Sequence, residues 1–218
     1  RRLYMYVTGL DEIKDDRDVW LLLGAHILLS GGTLPPWEEF SKMDSENVRG
    51  LYDRAQSVRA VRESIPDWLG EVGEKELPGM WEAELAAMNT EAPVVLRANT
   101  LKAPVDAVAK VLEKENIATV RIDGCPEALE LPRRANVFDT KAFRDGWFEV
   151  QDASSQQVAR LLAPEPGMRV VDACAGAGGK TLHLAALMQG KGTIVAMDVY
   201  EKKLEELRRR AARAGASN

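Results

Sequence analysis

Between Met168 and Asp198 the chain sets three glycines and an acid where they could hold a nucleoside. Gly176, Gly178 and Gly179 follow the apolar run Arg169 to Ala173, and Lys180-Thr181 lead into Leu182, Leu184, Ala185 and Leu187. Gly190 and Gly192 then precede a second apolar run, Thr193 to Met197, which ends at Asp198. Glycine lets a backbone approach a ligand closely, and an acid after the second strand accepts from both ribose hydroxyls. Holding these residues together requires a buried strand, a glycine turn, a helix and a second strand in that order. The turn Pro164-Glu165-Pro166-Gly167 marks where the first strand begins.

The spacing narrows the nucleoside. A phosphate-binding loop of the Walker type needs glycine five residues before Gly179, and Cys174 stands there. The dinucleotide fingerprint needs a third glycine where this chain has Thr181. A ligand without phosphates is favoured, and S-adenosylmethionine is the common one. Its expected contacts are Cys174, Ala175, Gly176, Ala177, Gly178, Gly179 and Lys180, with Asp198 on the ribose diol. The bland alternative is a glycine-rich turn that holds nothing; the loop and the acid standing in the expected order argue against it.

Four stretches add a resemblance. Asp172 to Thr181 reads D-A-C-A-G-A-G-G-K-T, Ser64 to Leu69 reads S-I-P-D-W-L, Leu96 to Lys102 reads L-R-A-N-T-L-K, and Phe148 to Gln156 reads F-E-V-Q-D-A-S-S-Q. In this order they resemble the Sun/Fmu (Nop/Sun) family of RNA (cytosine-5) methyltransferases, from about Ser64 onward. The family usually has Ala-Pro where this chain has Gly176 and Ala177, a departure that a pocket built from backbone tolerates. The resemblance implies S-adenosylmethionine as cofactor, RNA (rRNA or tRNA) as substrate, and a Rossmann-like class I methyltransferase sheet of which these residues supply the start.

The resemblance also implies covalent chemistry. Cytosine C5 is a poor nucleophile, so a thiolate adds to C6 and makes C5 enamine-like before methyl transfer, and a second cysteine helps release the product. The family's two cysteines stand beside prolines, beyond the second strand. Cys174 matches the cysteine of the cofactor turn, which is not the nucleophile, and Cys125 matches nothing despite its neighbour Pro126. The expectation is therefore an N-terminal portion of a methyltransferase, inactive by itself, with no catalytic residue among these positions. A chain that begins Arg1-Arg2 without an initiator methionine agrees with that expectation. The alternative is a non-catalytic RNA- or protein-binding module with a vestigial pocket.

Composition sets the frame for these motifs. The chain has 45% hydrophobic and 29% charged residues and a net charge of −5, as a soluble globular protein would. No apolar run reaches a bilayer-spanning length, which gives no membrane partner. Two cysteines and two distant histidines favour a reducing cytoplasm and no metal site. The acidic balance leaves RNA contact to local basic groups: Arg133-Arg134, Lys141 with Arg144, and Arg208-Arg209-Arg210 with Arg213.

Three regions follow from the patterning. Residues 1–90 read as helical, with Val19, Leu22, Leu23, His26, Ile27 and Leu29 as an apolar stripe and His26 as a core histidine. Val48, Leu51, Tyr52, Ala55 and Val58 stand at helical spacing further on. Residues 91–150 read as a small α+β, RRM-like unit. It has strands around Pro93 to Asn99, Ala118 to Ile122, Ala128 to Leu131 and Trp147 to Val150, and a helix after Pro104. Arg97 and Asn99 are its candidate outward polar residues. Residues 151–218 read as the first half of the methyltransferase domain. There Asp152 or Ser154 caps a helix, Gln157 reciprocates for Ser154, and a last helix runs from Tyr200 to Ala214. With only two strands of its sheet, this part is expected to expose an edge beside Val170-Val171, to be loosely ordered beyond about Leu162 or to pair with a second copy.

Overall fold

The computed structural model describes residues 1–217 and divides into two compact units, Arg1–Glu91 and the residues from Ala92 on. The first is helical: α1 (Arg2–Thr8), α2 (Asp16–Leu29), α3 (Ser45–Ala55), α4 (Arg59–Arg62), α5 (Asp67–Glu76) and α6 (Trp81–Met88). Asp15 and Asp44 start α2 and α3 by accepting amide protons of the first turn. Val7, Ala25, Leu28 and Val48 form the core, with Leu51 and Tyr52 packed against it.

The buried face of α2 differs from the expected stripe. Gly24, Ala25 and Leu28 are buried, whereas Val19 and Leu23 are exposed. Small residues decide this, because a Cβ on Gly24 would lie 2.5 Å from the Met43 sulfur and 3.1 Å from the Phe40 ring. Those bulky side chains close onto the glycine and rotate the contact face. His26 is consequently exposed, its Nδ1 2.9 Å from the Tyr4 hydroxyl, and is not a core histidine.

The second unit begins with β1 (Val94–Ala98), α7 (Val105–Lys114), β2 (Val120–Ile122), β3 (Cys125–Leu131), α8 (Lys141–Arg144) and β4 (Phe148–Val150). The strands form an antiparallel sheet in the order β2-β3-β1-β4. Because β3 lies between β1 and β2, the β1-α7-β2 connection is a split βαβ. Leu96, Ala98, Leu129, Leu131 and Phe148 pack under Val108 and Leu112 of α7 and Ala142 of α8. Each large apolar side chain so buried contributes about 1.5–3 kcal/mol. The opposite face carries Val95, Cys125 and Ala128 and is covered from Ala153 onward by α9 (Ala153–Leu162).

The chain then builds β5 (Arg169–Asp172), α10 (Gly179–Leu187), β6 (Thr193–Ala196) and α11 (Glu201–Ala214). β5 and β6 pair in parallel, Val170 beside Ile194, as a strand–helix–strand crossover requires. Ala159, Val170, Leu184 and Met188 join α9, β5 and α10 in one apolar cluster. Among the described residues β5 is paired on one side only, and Val171 is 59% exposed. Among the same residues no helix is long and apolar enough to cross a membrane.

Candidate cofactor site

The turn after β5 is laced to the end of β6. Ala175 N–H donates to the Met197 carbonyl at 2.9 Å, and Met197 N–H donates to Asp172 O at 2.8 Å. Thr181, in the first turn of α10, donates its hydroxyl to Asp172 Oδ2 at 2.7 Å. Gly176 and Gly178 take φ of 54° and 86°, in the left-handed region that glycine enters without a Cβ penalty. Gly178 has a second reason to be glycine: a Cβ there would stand 2.7 Å from Leu207 Cγ of α11.

The acid expected to hold a ribose lies against this turn. Gly176 N–H donates to Asp198 Oδ2 at 2.8 Å and Tyr200 N–H to Oδ1 at 2.9 Å. Those two amides, Tyr200 first and then Gly176, hold the carboxyl below its ordinary pKa, so it is ionised and accepts only. The carboxylate keeps lone pairs that a neighbouring diol can use. Cys174 and Lys180 are exposed, Gly176, Ala177 and Gly179 are partly covered, and Ala175 and Gly178 are buried beneath. The structure thus brings the expected residues into one rim at the carboxyl ends of two parallel strands. That is where open α/β sheets hold ligands, and an acceptor-only acid beside a glycine turn fits a nucleoside without phosphates.

Residues expected at the surface turn out to support this rim. Arg97 and Asn99 are 1% and 4% exposed, so they are not outward polar residues. Their face of the antiparallel sheet is covered by α9 and the glycine turn. Arg97 Nη1 donates to the Gly179 carbonyl and to Gln151 Oε1, each at 2.5 Å. Asn99 Nδ2 donates to the carbonyls of Gly146 and Ala214, both at 2.8 Å. Burial pulls the Arg97 pKa down and Glu149 opposes it, leaving about 10, so the guanidinium stays charged at neutral pH.

The expected basic run is likewise divided. Arg208 and Arg209 make exposed pairs with Glu201 and Glu206. Arg210 and Arg213 turn inward to Glu149, at 2.8 and 2.6 Å. Arg210 also donates to the Ala177 carbonyl at 2.9 Å, and Arg213 lies 4.1 Å over the Phe143 ring. Lys141 pairs with Asp145, and Arg144 donates to the Asp139 carbonyl.

Sequence reasoning passed over two buried carboxylates, Glu149 and Glu127. The signal was an acid within each of two largely apolar strands, with Glu149 in register with Arg97. Glu127 accepts from Nε and Nη2 of Arg160 in α9, while His183 Nε2 of α10 stands 3.7 Å away, beyond hydrogen-bond length. Burial raises the Glu127 pKa, but His183 and Arg160 outweigh it and hold the carboxyl at about 2. His183 is the core histidine of the chain, fully buried, its pKa pushed down by desolvation. Asp152 caps α9 as expected, at 2.8 Å from Ser154 N. Gln157 does not reciprocate, because its amide donates instead to the Gly124 carbonyl and to Cys125 Sγ, both at 2.9 Å.

Comparisons with known proteins identify the family to which these segments belong. Residues 65–138 match the RsmF/B-like methyltransferase ferredoxin-like domain, and residues 159–218 match the 16S rRNA methyltransferase RsmB/F family. A probable ribosomal RNA small subunit methyltransferase B of Synechocystis is 36% identical over 74% of this chain and 37% of its own length. The 25S rRNA (cytosine-C(5))-methyltransferase NSUN5 of Arabidopsis thaliana is 36% identical over 58% of this chain and 22% of its own. The crystal structure of a methyltransferase homologue from Pyrococcus horikoshii superposes with a TM-score of 0.68, at 32% identity, covering 73% of this chain and 52% of that one. The chain therefore spans about a fifth to about half the length of these proteins. The split βαβ strands β1, β2 and β3 and the glycine turn at the end of β5 fall in the two matched segments, in the family's order, and the chain belongs to the Sun/Nop (RsmB/F-type) family of rRNA cytosine-5 methyltransferases.

Proposed function

We infer that these residues supply the cofactor half of an S-adenosylmethionine-dependent enzyme that methylates C5 of a cytosine in RNA, rRNA or tRNA. The observation that carries this reading is the 2.8 Å bond from Gly176 N–H to Asp198, which makes the turn and the acid one rim. When bound, S-adenosylmethionine would supply an electrophilic methyl group. Backbone from Cys174 to Lys180 would cradle its methionine part, and Asp198 would accept from its ribose hydroxyls. A cytoplasmic location belongs to the same reading, and so does the assignment of residues 1–90, 91–150 and 151–218 to helical, RRM-like and methyltransferase roles.

The cytosine-activating thiolate would come from outside these 218 residues. Cys125 is buried, with Sγ accepting from Gln157, and Cys174 lies in the cofactor turn. The test is transfer of a labelled methyl group to RNA by the full-length protein, with nucleoside analysis of the product. Label in 5-methylcytidine supports the reading, and so does its absence with the 218-residue chain alone. Label at another atom, or transfer by the short chain that a change at Cys125 or Cys174 abolishes, would overturn it.

A further inference from the structure

Two arginines, Arg210 and Arg213, bind one buried glutamate where the antiparallel sheet meets the glycine turn, and a third, Arg97, stands beside it. Glu149 on β4 is in register with Arg97 on β1, so both side chains leave the same face of the sheet. Its carboxylate takes one guanidinium nitrogen from Arg210 and one from Arg213. Each guanidinium carries five N–H donors and gives only one nitrogen to the carboxylate, so further donors are left for other acceptors. The surplus donors end on backbone carbonyls of the turn: Arg210 Nη1 on Ala177 and Arg97 Nη1 on Gly179. These carbonyls flank the left-handed Gly178 on both sides.

A fixed carbonyl fixes the next amide, because each peptide unit is planar. Holding Ala177 O sets the direction of Gly178 N–H, and holding Gly179 O sets that of Lys180 N–H. We propose that Glu149, Arg210 and Arg97 form a clasp through which the antiparallel sheet sets the shape of the glycine turn and hence its affinity for S-adenosylmethionine. They are positioning residues that grip the turn by its carbonyls. The small sheet is then part of the cofactor site as well as any RNA surface. This proposal rests on reading the turn and Asp198 as that site.

The test uses the full-length protein, S-adenosylmethionine titrated by calorimetry, and RNA affinity measured beside it. Removing a hydrogen bond to a charged donor costs about tenfold in an equilibrium, so Arg210→Ala should weaken cofactor binding about that much while RNA affinity stays within about twofold. Amide exchange of Gly178 and Lys180 in the free protein should accelerate, with β5 and β6 unchanged. Arg208→Ala, which removes an exposed pair, should do neither. Arg210→Lys and Glu149→Gln keep most of the side-chain volume and carry the same test should the alanine variant fold poorly; both should weaken the cofactor and spare RNA. Asp198→Ala separates the two claims. Unchanged affinity in that variant removes the cofactor-site reading and the clasp with it. Weakened affinity in Asp198→Ala with unchanged affinity in Arg210→Ala, Arg210→Lys and Glu149→Gln overturns the clasp alone. Equal loss of cofactor and RNA affinity, with faster exchange throughout, would make the cluster a structural support and overturn the clasp as well.

Discussion

Asn99, just after β1, donates to the carbonyl of Ala214 at the last turn of α11, 115 positions away in the chain. The same amide nitrogen holds the Gly146 carbonyl, so one side chain ties the antiparallel sheet to the end of the helix behind the glycine turn. Asn99→Ala leaves buried carbonyls without a donor, a loss of about 2–3 kcal/mol. Amide exchange on the full chain should show the opening confined to α11 and the Gly146 turn. Protection there unchanged from the parent would contradict the tie.

The two left-handed glycines of the turn should respond differently. At Gly176 a Cβ meets nothing within 4 Å, so Gly176→Ala costs only the left-handed backbone, about 1–2 kcal/mol. At Gly178 the same strain adds to a contact of 2.7 Å with Leu207. Gly178→Ala should therefore be the more destabilising and should shift α11. Denaturation midpoints of the two variants in the reverse order would show that Leu207 yields freely.

Acid should weaken the second unit in two stages. His183 is held below its ordinary 6.5 by burial, so below about pH 6.5 the unfolded chain takes a proton that the folded chain refuses, and stability falls. Glu127 is held at about 2 against an ordinary 4.5, so its contribution is present above pH 4.5 and is lost as pH falls toward 2. His183→Leu should abolish the first stage and shrink the second, because His183 helps Arg160 hold the Glu127 carboxyl down. Stability at pH 7 should hold or rise, since neither ring nitrogen has a partner among the described residues. Opening free energies of α10 amides at several pH values read both stages. A slope between pH 7 and 5 that survives in His183→Leu would assign it elsewhere.

Much of the site was legible because its signals are local. Glycine placement, strand-bounding turns and the acid after the second strand each depend on a few neighbouring residues, and the structure joins them as the spacing implied. The small sheet was legible for the same reason, since Val94 to Ala98 read as a short strand and the helix after Pro104 buries Val108 and Leu112. What alternation cannot say is whether a strand's second face meets water or protein. Arg97 and Asn99 share that face, and the packing of α9, the glycine turn and the end of α11 against it makes them interior. Arg210 and Arg213 were hidden similarly, because a charge run looks the same whether it is solvated or turned onto a buried acid. His26 stands outside the core because Gly24 rotates α2, a consequence of where Phe40 and Met43 lie in space.

The account depends most on Asp198. Its carboxylate is kept ionised by the Tyr200 and Gly176 amides and should accept from the ribose diol. Calorimetric titration of the full-length protein with S-adenosylmethionine, parent against Asp198→Ala, tests this directly. Loss of charge-assisted hydrogen bonds predicts an affinity lower by about tenfold or more. With the acid's pKa depressed, parent affinity should also stay level from about pH 8 down to about pH 5. An Asp198→Ala protein that binds the cofactor as tightly as its parent would contradict the assignment of this rim as the cofactor site.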